Sequence, residues 1–220
     1  MKNIFALGVL MMSVHISYAQ VAIPNTLKKP TTQKIDLSEV KGTIYEHEEF
    51  AKGVLIDELG HQEKPYYIRY NAYNDEVELV DKISSKNVSA MLSKSEGIYA
   101  KIGTKEYRRI NYKTSKGDQI NRISIKLADN QHLALHKFIE KEFVPERKAK
   151  TSLEKDVPAK FRTTTTYYIL KEDLLYEIDL NKKSIIKVLP EHKKALEAFM
   201  DSEKLNLKKE EDVIALISNL

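Results

Sequence analysis

Apolar and polar residues alternate with a period of two through much of the chain after residue 44. The clearest stretch is Lys64–Ala72, in which Ile68 and Tyr70 fall on one face and Arg69 and Asn71 on the other. This alternation is typical of a half-buried β-strand. Similar short stretches, separated by residues that favour turns, are Lys52–Glu58, Glu76–Val80, the hairpin 97–113 and Ile123–Leu127. We therefore predict a β-meander with six to eight strands before residue 145.

The second half of the chain continues this pattern after one interruption. Residues 146–160 are rich in charge and carry few apolar positions, so we predict a long loop. A second hairpin follows from Thr163 to Leu180, and Asn181 then makes the turn to a further short stretch, Ile185–Val188.

The last thirty residues change to a period near 3.6, which predicts two amphipathic helices at about 190–203 and 207–219. Pro190 suits the first turn of one helix, and Asn206 is a candidate N-cap for the other. The expected fold class is mostly β (α+β). We expect an antiparallel β-meander, or a curved sheet or half-barrel, with a C-terminal helical hairpin, as one β-rich domain over 42–220.

The first nineteen residues differ from the rest and predict a secretory signal peptide. Lys2 provides the positive start, Ile4–Ile16 the apolar stretch, and Ser17-Tyr18-Ala19 a small-residue cleavage site. Residues 20–41 then form an extended lead-in. The formal charge of +4 falls to +3 when Lys2 is removed. Because no cysteine follows the site, we expect an exported protein that is periplasmic or extracellular, not a lipoprotein, and without a transmembrane segment in the mature chain.

Composition and motifs exclude several chemistries. The absence of cysteine excludes disulfide scaffolds, cysteine-type metal sites and thiol nucleophiles. His132 and His136 would lie about 13 Å apart on a strand, too far to share a metal ion. His47 begins a zinc-protease pattern, but Ala51 stands where the second ligand is needed. We therefore expect no metal site, cofactor or catalytic residue, and the small net charge predicts no nucleic-acid partner.

Tyrosines and basic residues supply the candidates for recognition. Exposed tyrosines on a sheet favour contacts with proteins or sugars, although tyrosine is also common in strands for structural reasons. Positive charge gathers on the central hairpin, which would suit an anionic surface partner or simply a solvated face. The candidate ligand or partner surface comprises Tyr67, Arg69, Asn71, Tyr73, Arg108 and Arg109.

Several short motifs give the chain a resemblance to known proteins. They include Arg69–Glu76, Glu48-Glu49-Phe50, Pro158–Phe161 and the ending Leu205–Asp212. Together they resemble a set of small exported β-rich envelope proteins of Bacteroidetes-type bacteria that have no assigned activity. The resemblance implies an envelope location and a mostly β domain ending in helices, and it supplies no catalytic residues.

These observations leave three hypotheses for function. The first is a non-enzymatic binding or structural module that engages an envelope or cell-surface protein or polysaccharide. The second is a periplasmic carrier, in which Ile68, Ile123, Ile125 and Leu135 would line a cavity for a small apolar ligand. The third is a carboxylate-dependent hydrolase, which would need carboxylates or histidines that converge in one cleft.

Overall fold

The computed structural model describes residues 27–28, 37, 39–85, 87–92, 97–130, 132–151 and 153–220. The chain is mostly β, with three C-terminal α-helices, and this confirms the expected fold class. The strands are β1 (Leu27–Lys28), β2 (Ala51–Asp57), β3 (Tyr66–Asn71), β4 (Glu76–Val80), β5 (Ala90–Leu92), β6 (Ile98–Ile102), β7 (Lys105–Thr114), β8 (Gln119–Asp129), β9 (Leu133–Val144), β10 (Lys160–Lys171) and β11 (Leu174–Ile178). The helices are α1 (Lys182–Val188), α2 (Lys193–Glu203) and α3 (Glu210–Ser218), and a 3-10 turn at Pro190–His192 precedes α2.

The expected signal peptide, residues 1–19, lies outside the described residues. The expected lead-in, residues 20–41, is described only at 27–28, 37 and 39–41, where Leu27–Lys28 forms β1 and pairs with β5.

Strands β7 to β11 form a closed sheet. Each strand pairs antiparallel with the next, and β11 then pairs in parallel with β7 through Leu174 with Lys113 and Leu175 with Thr114. The parallel closure follows from the odd number of strands, because the first and fifth strands of an up-and-down meander run in the same direction. The sequence predicted a curved sheet or half-barrel, and in the structure strands β7 to β11 close completely on themselves.

Strands β1 to β6 form an open antiparallel sheet in the order β1-β5-β4-β3-β2-β6, and β6 joins it to β7. Its buried face packs with one face of the closed sheet and with the three helices in one apolar core. Fully buried members of that core include Leu55, Ile68, Leu79, Ile125, Leu135, Ile169, Leu196 and Leu216. A smaller cluster, built on Ile110, Phe138 and Leu175, comes from the alternate residues of the closed strands.

Two local expectations are corrected. Ile185–Val188 is not a further β segment, since Asn181 caps helix α1 by accepting a hydrogen bond from the Ser184 N–H at 2.8 Å. Helix α3 begins after Lys209, and the Asn206 side chain accepts from the Lys208 N–H at 3.2 Å in the preceding turn. In both places an asparagine side-chain oxygen accepts from a free backbone N–H. Asn181 does so at the start of a helix, where a turn between β segments was expected, and Asn206 does so in the turn before α3, where a helix cap was expected.

The loop predicted at 146–160 connects β9 to β10 and folds back on itself. The backbones of Arg147 and Val157 exchange two hydrogen bonds of 2.8 Å. Leu153, near its apex, is 96% exposed. Among the described residues, none of the helices is both long and apolar enough to cross a membrane.

Candidate binding surface

Arg69, the first of the predicted surface residues, is held in a polar cluster. Its guanidinium carbon lies 3.5 Å from the ring centre of Tyr45 and 4.1 Å from that of Phe50. Its Nη2 donates to Glu78 Oε2 at 2.8 Å, and its side chain is 16% exposed. The segment 44–50 therefore covers this face of the open sheet, and Arg69 fastens that segment by stacking and ion pairing.

Asn71 and Arg109 also make structural bonds. Asn71 is 2% exposed; its Nδ2 donates to Glu78 Oε1 at 3.1 Å, and its Oδ1 accepts from the Tyr73 and Asn74 N–H groups. Arg109, whose side chain is 8% exposed, pairs with Asp75 at 2.6 Å. These residues shape the β3–β4 turn and attach it to the closed sheet, so they do not offer a free surface.

Arg108 is partly exposed but already partnered. Its guanidinium lies 4.2 Å from the ring centre of Tyr99, and its Nη2 lies 3.3 Å from Glu106 Oε2. The same holds for most of the basic hairpin, whose ion pairs are Lys105–Glu46, Arg108–Glu106, Arg109–Asp75, Lys116–Glu177 and Arg122–Glu140. Lys113 is exposed and has no ion pair with a described residue. Because most of its cations are paired, the hairpin presents an anionic polymer with little unpaired positive charge besides Lys113.

Tyr73 belongs to an aromatic cluster that the sequence did not reveal. We define the aromatic cluster as Tyr73, Phe143 and Phe161. The ring of Phe161 lies 5.4 Å from that of Tyr73, edge to face, and 5.7 Å from that of Phe143. Phe161 is 8% exposed, whereas Tyr73 and Phe143 are each 37% exposed. Two solvent-facing aromatic rings thus rest on a buried third ring, which fixes them at little cost in side-chain entropy.

The aromatic cluster forms where the β9–β10 hairpin leaves the closed sheet. Pairing of β9 with β8 ends at Lys137, and pairing of β10 with β11 begins at Tyr167, so 138–144 and 160–166 continue as a two-stranded ribbon, here called the arm. Phe143 faces Phe161 across this ribbon. The Lys141 N–H donates to the Ala72 carbonyl at 3.3 Å, which holds the arm beside the β3–β4 turn and Tyr73.

Of the predicted residues, the structure therefore places only Tyr73 in this exposed aromatic cluster. Tyr67 is half-buried on β3, which pairs with β4 through Tyr67 and Val80. Phe143 and Phe161 were missed as site residues. The sequence contains one indication of this pair. If the predicted loop 146–160 connects two strands in the register seen in the structure, Phe143 and Phe161 stand opposite each other and point to the same side of the ribbon.

Two places in the described part of the chain are candidates for catalytic chemistry. On the face of the closed sheet that carries the smaller cluster, Ser124 Oγ lies 2.9 Å from His136 Nδ1, but the two residues are 0% and 2% exposed. Burial, together with the charges of Lys126 and Arg108, lowers the pKa of His136 to about 4. Because both residues are buried from solvent and the histidine is uncharged at neutral pH, the pair acts as a structural bond.

The second location is a surface cleft of about 540 Å³ at one end of the closed sheet. His132, His192, Glu172 and Asp173 line it, together with Asp129 and Glu191. The last two are engaged in ion pairs of 2.6 Å with Lys126 and Lys171. Among the described residues, no group of three or more histidine and carboxylate side chains is arranged to hold a metal ion.

The four residues that a carrier would need around its ligand lie in the packed core. Ile68, Ile123, Ile125 and Leu135 are 1%, 5%, 0% and 0% exposed and belong to one cluster of contacting side chains. They pack with the helices and with the open sheet.

No protein-family model, curated protein or solved structure matches the chain.

Proposed function

We propose that the protein is an exported, non-enzymatic binding module that holds a protein or polysaccharide of the cell envelope at the aromatic cluster. The observation that carries this proposal is the pair of solvent-facing rings, Tyr73 and Phe143, fixed against Phe161. Rigid, half-exposed aromatic side chains are favoured at binding surfaces, since they bury a large area on contact and lose little freedom.

The charges favour a neutral or mixed partner over an anionic one. Arg162 pairs with Glu142 on the arm at 2.5 Å, and the basic hairpin is paired with carboxylates. A partner that meets the aromatic rings therefore encounters mostly paired charges, together with the two exposed lysines Lys41 and Lys160 beside Phe161. Protein side chains and uncharged sugar rings both suit such a surface.

The two rival functions have less support. A carrier would have to displace the packed side chains of Ile68 and Leu135 to make room for its ligand. A hydrolase would use the cleft near His132 and Glu172, but both side chains are exposed and no buried environment prepares either group for proton transfer.

The test is binding of the purified protein to intact envelopes of its source organism. A Tyr73→Ser, Phe143→Ser double variant should lose most of the binding. The matched control replaces two other exposed apolar residues, Leu59 and Ile83, which are 81% and 61% exposed, with serine. Circular dichroism confirms that both variants are folded. Equal binding by the wild type and the Tyr73 and Phe143 variant would refute the proposal.

Treatment of the envelopes identifies the class of partner. Protease treatment should abolish binding if the partner is a protein, and periodate oxidation should abolish it if the partner is a polysaccharide. Export is tested separately by the intact mass of the protein from its source organism, which should correspond to a chain that begins at Gln20. A mass that includes residues 1–19 would contradict export by cleavage.

A further inference from the structure

Strand β10 has an open segment in one of its edges. Along its other edge it pairs with β9 over its full length, from Lys160 to Lys171. Along the open edge it pairs with β11 only from Tyr167 to Lys171, and with the single residue Lys41 at Lys160. Among the described residues, no strand pairs with this edge over Arg162–Thr166, and we call this segment the slot.

The outward backbone groups of the slot can be assigned from the flanking bonds. Phe161 donates its N–H to the Lys41 carbonyl at 2.9 Å, so Phe161 points its backbone groups to the open edge. Since these groups alternate along a strand, Thr163 and Thr165 do the same, whereas Thr164 and Thr166 point to β9. Thr163 and Thr165 are both exposed. Each therefore directs one N–H donor and one carbonyl acceptor to the open edge, where no described residue pairs with them.

Exposed edges are usually protected by proline, by charge or by a covering element. The slot contains no proline; after Arg162, which pairs with Glu142 of β9, it has four consecutive threonines, residues 163–166, which are uncharged and favour strand pairing. Its length is limited by Lys41 at one end and Ile178, opposite Tyr167, at the other. Five residues span about 17 Å, so the rigid twelve-residue β10 of a second copy would collide with both ends.

Charge at the two ends of the slot selects an orientation. Lys41 and Lys160 lie at one end and Asp179 at the other, all three exposed. None of the three forms an ion pair within the described residues. We propose that the slot binds an extended peptide of about five residues, antiparallel to β10, with a free C-terminal carboxylate near Lys41 and Lys160. Backbone hydrogen bonds to Thr163 and Thr165 would supply affinity, as in other cases of β-strand addition.

This inference rests on the proposed function, since it names a peptide as the partner of the arm. The probe is an equimolar pool of proline-free pentapeptides with free termini, added at millimolar concentration to the purified protein. Amide hydrogen exchange by NMR should slow about tenfold at Thr163 and Thr165 and remain unchanged at Thr164 and Thr166. The same pool with amidated C-termini should protect these amides several-fold less. Absence of this alternating protection, or equal protection by the two pools, would overturn the proposal.

Two variants of Thr165 separate the loss of its backbone hydrogen bond to the peptide from the loss of its side chain. Thr165→Pro removes one outward donor at an edge position where proline is tolerated, and should weaken binding of the free-carboxylate pool about tenfold. Thr165→Ala keeps that donor and should bind like the wild type; equal loss in both variants would count against strand addition. If the two amides are already protected without peptide, in a manner that depends on protein concentration, a second copy fills the slot and the proposal is wrong.

The outcome is independent of the envelope assay. Loss of envelope binding in the Tyr73→Ser, Phe143→Ser variant, together with no peptide protection, would leave the proposed function standing and remove only this inference. Peptide protection without any envelope binding would support the slot as a peptide site and refute the proposed function at the aromatic cluster.

Discussion

At the scale of single residues, Asp75 connects the open sheet to the closed sheet. Its carboxylate accepts from the Tyr70 hydroxyl and the Ile123 N–H, both at 3.0 Å, and pairs with Arg109 at 2.6 Å. Asp75→Asn removes the charge while keeping a residue that tolerates its left-handed backbone, with φ of 56°. We expect a loss of about 3 kcal/mol in the free energy of unfolding, because the buried Arg109 is left without its counter-charge.

Urea denaturation measures this loss. Asp81→Asn is the control, since Asp81 is 55% exposed in its pair with Lys64, and we expect little change there. If the two variants lose the same stability, the Asp75 bonds do not carry the connection.

His136 should make stability depend on pH. Burial, followed by the nearby charges of Lys126 and Arg108, lowers its pKa from 6.5 to about 4. The unfolded chain therefore takes up a proton as the pH falls below about 6.5, whereas the folded protein stays unprotonated there until about pH 4. The free energy of unfolding should fall over this window by about 3 kcal/mol.

Urea denaturation at pH 7 and pH 4.5 tests this dependence on His136. His136→Asn keeps a side chain that can hydrogen-bond with the Ser124 hydroxyl and should flatten the pH profile, and the same substitution at the exposed His132 serves as the control. An unchanged slope in His136→Asn would assign the pH dependence to other groups.

The candidate residues illustrate what a local pattern can predict. Period two correctly placed Ile68 and Tyr70 on the same face of β3, because alternation alone decides which side chains share a face, and the structure buries both. It could not show that Tyr45 and Phe50 would cover the opposite face, since those contacts span about twenty residues of chain. The burial of Arg69 depends on that covering segment, and no strand pattern contains it.

At the scale of elements, β2 and β6 approach closely at Gly53. A Cβ atom at this position would overlap the Lys101 backbone oxygen and lie 2.9 Å from Ile68 Cδ1. Gly53→Ala should therefore force the two strands apart and lower the free energy of unfolding by about 3 kcal/mol. Thermal or urea unfolding measures the loss. Gly97→Ala is the control, because its Cβ would meet nothing closer than Glu58 Oε1 at 3.9 Å, and equal effects would exclude the close approach as the cause.

Helix α1 shows why the long hairpins were predictable and one short element was not. The hairpin β10–β11 has many alternating positions, so its pattern is unambiguous. Lys182–Val188 has only seven residues, and its apolar positions fit a strand or a helix. The decision comes from Asn181, just before this segment: its side chain accepts from the Ser184 N–H and starts a helix.

At the scale of the whole molecule, helix α3 is fastened to the closed sheet by Glu210. Its carboxylate lies 2.6 Å from Lys137 Nζ and accepts from the Tyr167 hydroxyl at 2.7 Å. Burial raises the pKa of Glu210, but the bonds to Lys137 and Tyr167 outweigh this and lower it overall. The charged carboxylate also suits the first turn of the helix, where the backbone dipole is positive. The helices are thus bound to the sheet by charge as well as by apolar contact.

The shared core should make the two sheets and the helices unfold together. Val77 and Leu79 of the open sheet belong to the same apolar cluster as Leu135 of the closed sheet and Leu216 of α3, so neither sheet can expose its face without the other. The rings of Tyr70 and Tyr107, 5.9 Å apart, lie where the two sheets meet and give a near-ultraviolet signal for that junction.

We expect the near-ultraviolet and far-ultraviolet circular dichroism signals to lose half their amplitude at the same urea concentration, because separating the sheets exposes the core on which both depend. An earlier near-ultraviolet transition would mean that the sheets separate first and unfold as two units. Asp75→Asn sharpens the test, since it weakens the junction without removing apolar contacts. If the core dominates, both signals in that variant shift together to lower urea; if the Asp75 bonds dominate, the junction signal alone shifts.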